Sequence, residues 1–146
     1  FDRPASHRFG TLVHLILRDC DWDGANAGDL ANLHGELMEA SVDEIDAAEK
    51  AAIAAIDHPL MERARAATRK VRELPLTLRL DERRVVEGAI DLAFIENGRW
   101  VIVDFKTTAD IARNRTAYER QLRWYSYMLD RIQPQQHPAE SWLFSV

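Results

Sequence analysis

The chain has 146 residues, 47% of them hydrophobic and 29% charged, with a formal net charge of −5, which suits one soluble domain with a real core. It contains no apolar run near the roughly 20 residues of a membrane helix, and its single cysteine, Cys20, excludes an internal disulfide and any all-cysteine metal or iron–sulfur site. The acidic balance argues against a free-standing basic nucleic-acid binder, leaves room for a local basic face, and suits a carboxylate site whose charge bound cations offset. One cysteine also fits a reducing cytoplasm. The opening Phe1-Asp2-Arg3-Pro4 has neither Met nor signal peptide, so we expect a piece of a longer chain.

In chain order, Ser6 is placed to N-cap a helix running to about Cys20. Its Gly10, Val13, His14 and Leu17 share a face, which puts His14 on or beside the apolar stripe. Asp19, Asp21, Asp23 and Gly24 open like a calcium loop, but Leu30 stands where the bidentate Glu belongs; a solvated acidic turn is expected instead. A second helix covers Gly28 to Ala40, with Leu30, Leu33 and Leu37 inward. A third starts at Ser41 with a capping box to Glu44 and buries Ile45, Ala48, Ala52, Ile53 and Ile56. Asp57-His58-Pro59 ends it. Leu60 to Lys70 reads as a short basic helix. Arg63, Arg65, Arg69, Lys70 and Arg72 there form either a solvated face or a surface that tracks phosphates. His7, His34, His58 and His137 have no evident partners and are expected at the surface. Trp22, Trp100, Trp124 and Trp142 are scattered; packing is the expectation for each, with stacking on single-stranded bases open to one of them.

Val71 to Leu80 alternates as a strand, and Pro75 predicts an edge position or a bulge. Val85 to Thr108 predicts two antiparallel strands around an Asn97-Gly98 turn. Strict period two puts Gly88, Ile90, Leu92 and Phe94 on one face and Glu87, Ala89, Asp91, Ala93 and Ile95 on the other. On the second strand Ile102, Asp104 and Lys106 share a face. A helix is expected from about Thr116 to Arg131, with Tyr118, Gln121, Leu122, Tyr125, Met128 and Leu129 on one side, and a last strand from Ser141 to Val146. A strand that returns after a crossover helix can join in parallel. The predicted fold is therefore α/β: a mixed sheet of three antiparallel strands plus one after the crossover helix, flanked by helices. Residues 1–146 are expected to form one domain, with a helical part over 1–70 and an αβ core over 71–146.

Two carboxylates and an ammonium in an apolar hairpin are costly unless they pair or hold a cation. Asp91 and Asp104 offer hard oxygen ligands suited to Mg²⁺ or Mn²⁺. Lys106 can contact an attacking water or a phosphate. His14 can complete the set, and its imidazole suits Mn²⁺ better than Mg²⁺. The alternative is a metal-free ion pair of Lys106 with Asp104 or Asp91, and a core histidine.

The blocks Gly10-Thr11-Leu12-Val13-His14, Glu73-Leu74-Pro75, Gly88-Ala89-Ile90-Asp91, Val103-Asp104-Phe105-Lys106-Thr107 and Tyr118-Glu119-Arg120-Gln121-Leu122-Arg123-Trp124-Tyr125 occur in the order found in RecB-type nuclease domains of the PD-(D/E)XK superfamily. The chain most resembles the C-terminal nuclease domain of AddA-type, UvrD-like helicase–nucleases. That resemblance implies His14, Asp91, Asp104 and the Phe105 carbonyl as metal ligands. It also implies Lys106 as the catalytic lysine and Glu73 as an auxiliary acid. Gln121 and Tyr125 would orient the site or contact DNA, although helix packing explains them equally. It implies a Mg²⁺- or Mn²⁺-dependent DNA exonuclease acting on DNA, chiefly single strands, in double-strand-break processing and recombinational repair. It further implies a helicase in cis and a partner of the AddB type. The cysteine cluster of the iron–sulfur branch is missing, so no such cluster is expected. No Walker A loop occurs, so any motor would lie outside these residues. A catalytically inactive module that holds DNA or docks another protein chain is the competing expectation.

Overall fold

The computed structural model describes residues 7–146; the cap assigned to Ser6 lies outside them. The elements run α1 (His7–Asp19), α2 (Ala27–Leu37), α3 (Val42–Ile56), α4 (Pro59–Ala66), β1 (Lys70–Arg79), β2 (Val85–Glu96), β3 (Arg99–Lys106), α5 (Thr108–Ile132) and β4 (Glu140–Ser145). The sheet order is β1-β2-β3-β4. The first three strands are antiparallel, and β4 joins β3 in parallel after the α5 crossover, as predicted. Pro75 sits on β1, an edge strand, where its missing N–H costs no ladder bond.

Each sheet face buries its own core. Leu92, Phe94, Val101, Val103 and Phe105 meet Phe9, Leu12, Val13, Ile16 and the alanines of α3. Ile90, Ala93, Trp100 and Ile102 meet Leu122, Tyr125, Met128 and Leu129 of α5. The result is three layers, helices on sheet on helix. Asn97 and Gly98 both take positive φ, 51° and 71°, the conformation a tight hairpin turn between twisted strands requires.

Three sequence expectations are corrected. Leu33 and Leu37 are 53% and 75% exposed, and α2 buries Ala27, Ala31 and Gly35 instead. Small residues let the two helices approach closely: a Cβ on Gly35 would lie 2.3 Å from Ile45. Ile53 is exposed for the same reason, since α3 packs through alanines. The helix expected from about Thr116 follows the kink at Asn114, and a further helical stretch from Thr108 precedes it. Thr107 caps it by accepting the Asp110 N–H, and Asn114 marks a kink with φ of −131°. The basic segment is not a free phosphate track: Arg69 is exposed, Arg63, Arg65, Lys70 and Arg72 are half-buried, and each has a partner. Arg63 bridges Glu96 and Glu140 at 2.6 and 3.1 Å, Arg65 and Lys70 donate to main-chain carbonyls, Arg69 donates to Gln133, and Arg72 donates to the Cys20 carbonyl and covers the Trp22 ring. Two histidines also have partners: His34 lies 3.0 Å from Asp19, and His58 caps α4 by accepting the Leu60 N–H. In the acidic turn, Asp23 accepts the Ala25 N–H and Asn26 the Asp21 N–H.

The capping box at α3 is present in both directions, Ser41 Oγ accepting from Glu44 N and the Glu44 carboxylate from Ser41 N, each at 3.2 Å. Ser41→Ala should cost about 1 kcal/mol, and the thermal midpoint should drop by roughly 2–4 °C in a domain of this size. Calorimetry of the two chains checks this.

Candidate active site

The site forms where two strands part. Pairing of β2 with β3 runs from Glu96↔Arg99 to Leu92↔Val103 and stops. At the next position the Phe105 N–H donates to the Asp91 carboxylate at 2.7 Å, a side chain taking the place of a main-chain acceptor. β2 stays paired with β1 as far as Arg79↔Val85, so β2 and β3 diverge as a fork. The period-two reading fails here. Leu92 and Phe94 pack toward α1–α4, whereas Ile90 packs with Ala93 toward α5, so the alternation slips one residue at Asp91. Opposite it, Glu73 has a φ of 50°, a left-handed conformation that costs about 1–2 kcal/mol for a residue with a Cβ. Register is kept on both sides, with Arg72↔Leu92 and Leu74↔Ile90; the two strands turn over together.

Asp104 and Lys106 share a face, as their spacing predicts. Asp104 is only 3% exposed. The Lys106 ammonium donates to Asp104 Oδ1 at 2.8 Å and lies 2.7 Å from Oδ2. Even so, Oδ2 makes no directional hydrogen bond. Lys106 also stands 5.0 Å above the Tyr118 ring, and its own carbonyl accepts the Val146 N–H. His14 comes in from α1. Its Nε2 meets the Phe105 carbonyl at 2.5 Å, and its Nδ1 lies 3.8 Å from Asp91 Oδ2. A proton on Nε2 is what the carbonyl contact requires. Gly10 lets α1 come this near: a Cβ there would press the Thr107 methyl at 3.1 Å.

Gln121 and Tyr125 reach the same region from α5. Gln121 Nε2 donates to the Tyr125 hydroxyl at 2.8 Å. The ring lies over Gly88, where a Cβ would come within 2.6 Å of it. Burial, then the charge of Asp104, pushes the phenol above its ordinary range. Glu73 is different. Its side chain is exposed and acts electrostatically on Arg18 at the end of α1. Other residues of the site went unread in the sequence. A cleft of about 360 Å³ is lined by His7, Thr11, His14, Lys106, Asp110 and Tyr118. So His7 lies beside the site rather than on unrelated surface. The signal for Thr107 and Asp110 was available, since a Thr followed three residues later by an acid marks a helix start.

Burial raises the Asp91 carboxyl to about 6 from its ordinary 3.8, with Asp104 adding repulsion that His14 and Lys106 offset. Among the described residues no three His, Cys, Asp or Glu side chains stand ready to cage an ion; Asp104 is turned onto Lys106 and His14 onto the Phe105 carbonyl. The donor set still fits a hard divalent cation. It offers two carboxylates, one with a buried oxygen lacking a directional partner, a carbonyl, and an imidazole facing a carboxylate, and such oxygen-rich sets suit Mg²⁺ or Mn²⁺.

Fold and site together define a nuclease of the PD-(D/E)XK type. The chain belongs to the PD-(D/E)XK nuclease superfamily, which it matches over residues 1–146. It is similar to an ATP-dependent helicase/nuclease of Heliobacterium modesticaldum (strain ATCC 51547 / Ice1), with 30% identity over 132 residues, 78% of this chain. The chain spans about 10% of that relative's length. Nucleases of this superfamily generally depend on divalent metal.

Because the folded chain holds Asp91 at about 6 against 3.8, its protonated form is favoured. That contribution is complete below about pH 4 and is lost as pH rises through 6, which leaves a penalty on the order of 2–3 kcal/mol at pH 7.5. Asp91→Asn, still able to accept the Phe105 N–H, should therefore melt several degrees higher than the unaltered chain at pH 7.5 without metal. The gap should close near pH 4. A variant less stable at both pH values would refute this.

Proposed function

We propose that this domain hydrolyses DNA phosphodiester bonds with Mg²⁺ or Mn²⁺ held by Asp91, Asp104, the Phe105 carbonyl and His14. One observation carries the reading: Lys106, which lines an open cleft together with His14, sits within 3 Å of the buried Asp104, and His14 lies 3.8 Å from Asp91. When bound, the cation supplies a lower pKa for water and screens charge building on the phosphate. Lys106 holds a positive charge where the attacking water or a phosphate oxygen gathers negative charge. Asp91, fastened to the Phe105 N–H, holds its second oxygen in place. Gln121 orients the Tyr125 hydroxyl, and the pair positions the acids or touches DNA. Glu73, at the exposed strand reversal, is an auxiliary group that shapes the fork rather than one that meets the phosphate.

The similarity to a helicase/nuclease supports a wider reading. Residues 1–146 act as one nuclease domain of a longer cytoplasmic chain, as an exonuclease on single strands fed by a helicase in cis. A protein of the AddB type is its partner in double-strand-break processing and recombinational repair. No helix among the described residues is long and apolar enough to cross a membrane. The closed Asp104–Lys106 pair favours one rival, an inactive module that holds DNA or docks another protein chain. Calorimetric titration with Mn²⁺ separates the two, because the rival has no need to bind the ion.

Asp104→Ala and Lys106→Ala should each lower Mn²⁺-dependent cleavage of a labelled single strand by at least about a hundredfold. Unchanged cleavage in both would remove the mechanism. Mn²⁺ should also raise the thermal midpoint of the unaltered chain, since a ligand of the folded state stabilises it, and Asp104→Ala should abolish that rise.

A further inference from the structure

The outward side of α5 carries a stripe that its packing does not explain. Arg120, Arg123, Trp124 and Tyr127 recur at i, i+3, i+4 and i+7, which places them along one line of the helix. Leu122, Tyr125, Met128 and Leu129 take the opposite side, in the core. Trp124 and Tyr127 are each 43% exposed. Their rings meet edge to face with centroids 5.8 Å apart. With Arg120 and Arg123 they line a shallow groove of about 290 Å³. Arg131 extends the stripe by a turn and lies over the Tyr127 ring.

The charges here are free in a way the other arginine cluster is not. Arg63, Arg65, Arg69, Lys70 and Arg72 are all engaged within the fold. Arg120 and Arg123 make no hydrogen bond or ion pair with any described residue. Between Arg113 and Arg131, α5 carries five arginines against Glu119 and Asp130, and Glu119 is already taken by Arg115. This local excess of positive charge sits on a chain whose net charge is −5.

Free guanidinium groups that flank exposed aromatic faces match a ligand with negative charge along its length and flat rings between. Double-stranded nucleic acid offers the charge but hides the ring faces in its own stack. A single strand offers both.

We propose that Arg120, Arg123, Trp124 and Tyr127 bind single-stranded nucleic acid, a base stacking on Trp124 and the two arginines meeting flanking phosphates. This binding does not rest on the nuclease reading.

The test is fluorescence anisotropy of a labelled oligothymidylate with the full chain in EDTA, which prevents cleavage. Trp124→Ala should raise Kd by roughly five- to a hundredfold, the range measured for losing one base–aromatic stack. Trp124→Phe should restore most of the affinity. Arg120→Gln with Arg123→Gln should flatten the slope of log affinity against log salt by about 1.4, the value for two phosphates on a single strand. An unchanged Kd in Trp124→Ala together with an unchanged salt slope would overturn the proposal. Equally tight binding of a duplex would overturn it too, as would intact oligonucleotide binding combined with lost association to a helicase segment, which would make the stripe a protein interface. Cleavage is scored separately on the unaltered chain. Tryptophan-dependent binding without Mn²⁺-dependent cleavage supports the stripe and sinks the nuclease reading. Cleavage with binding indifferent to Trp124 sinks the stripe alone.

Discussion

Where the ladder between β2 and β3 ends, the Asp91 carboxylate accepts the Phe105 N–H at 2.7 Å. The remaining site geometry hangs on that bond. Had a main-chain carbonyl taken the N–H, the strands would have stayed parallel-sided and Asp91 would have stood on a flat sheet. Instead the side chain ends the ladder and opens a fork. The bond also fixes Phe105 so that its carbonyl meets His14, and the next residue, Lys106, projects into the cleft. One donor thus sets the positions of an acid, a carbonyl, an imidazole and an ammonium.

That arrangement is held against its own electrostatics. Asp91 is buried beside the charge of Asp104, and both burial and that charge disfavour its own ionisation. Lys106 is clamped onto Asp104, and burial favours a proton on Asp91. The surrounding fold supplies the stability that makes this tolerable: two packed cores, a capping box on α3 and the Arg63 bridge to Glu96 and Glu140. A site assembled from such mutually unfavourable groups marks a place where stability is given up for chemistry.

Most of this was legible because the strongest local signals were unambiguous. Asn97-Gly98 fixed the hairpin, the spacing of Asp104 and Lys106 fixed their common face, and the box from Ser41 to Glu44 fixed the start of α3. What escaped has physical causes. Period-two reading assumes an unbroken pleat, so the slip at Asp91, mirrored by left-handed Glu73, could not be seen from alternation. Hydrophobicity ranks leucine over alanine, but α2 and α3 approach too closely for leucine, so small residues went inside and Leu33 and Leu37 outside. The basic run from Arg63 to Arg72 looked like surface because side-chain charge says nothing about nearby main-chain carbonyls. The stretch of α5 before the kink at Asn114 was missed because Arg113-Asn114-Arg115 reads as a polar break rather than as a bend between two helical segments.

β1 and β2 continue together past the fork for about half their length, out to the turn at Asp81–Arg84, where Asp81 accepts N–H bonds from Arg83 and Arg84. Only two strands wide there, the ribbon leans on α5 through Leu76 and Tyr125 and has no third strand beside it among the described residues. A two-stranded ribbon has little stability of its own, so its far end takes what rigidity it has from that one helix. Residues can be added or removed at the tip without disturbing the pairs that frame Asp91. That makes the tip the natural place for chain length to differ between related domains.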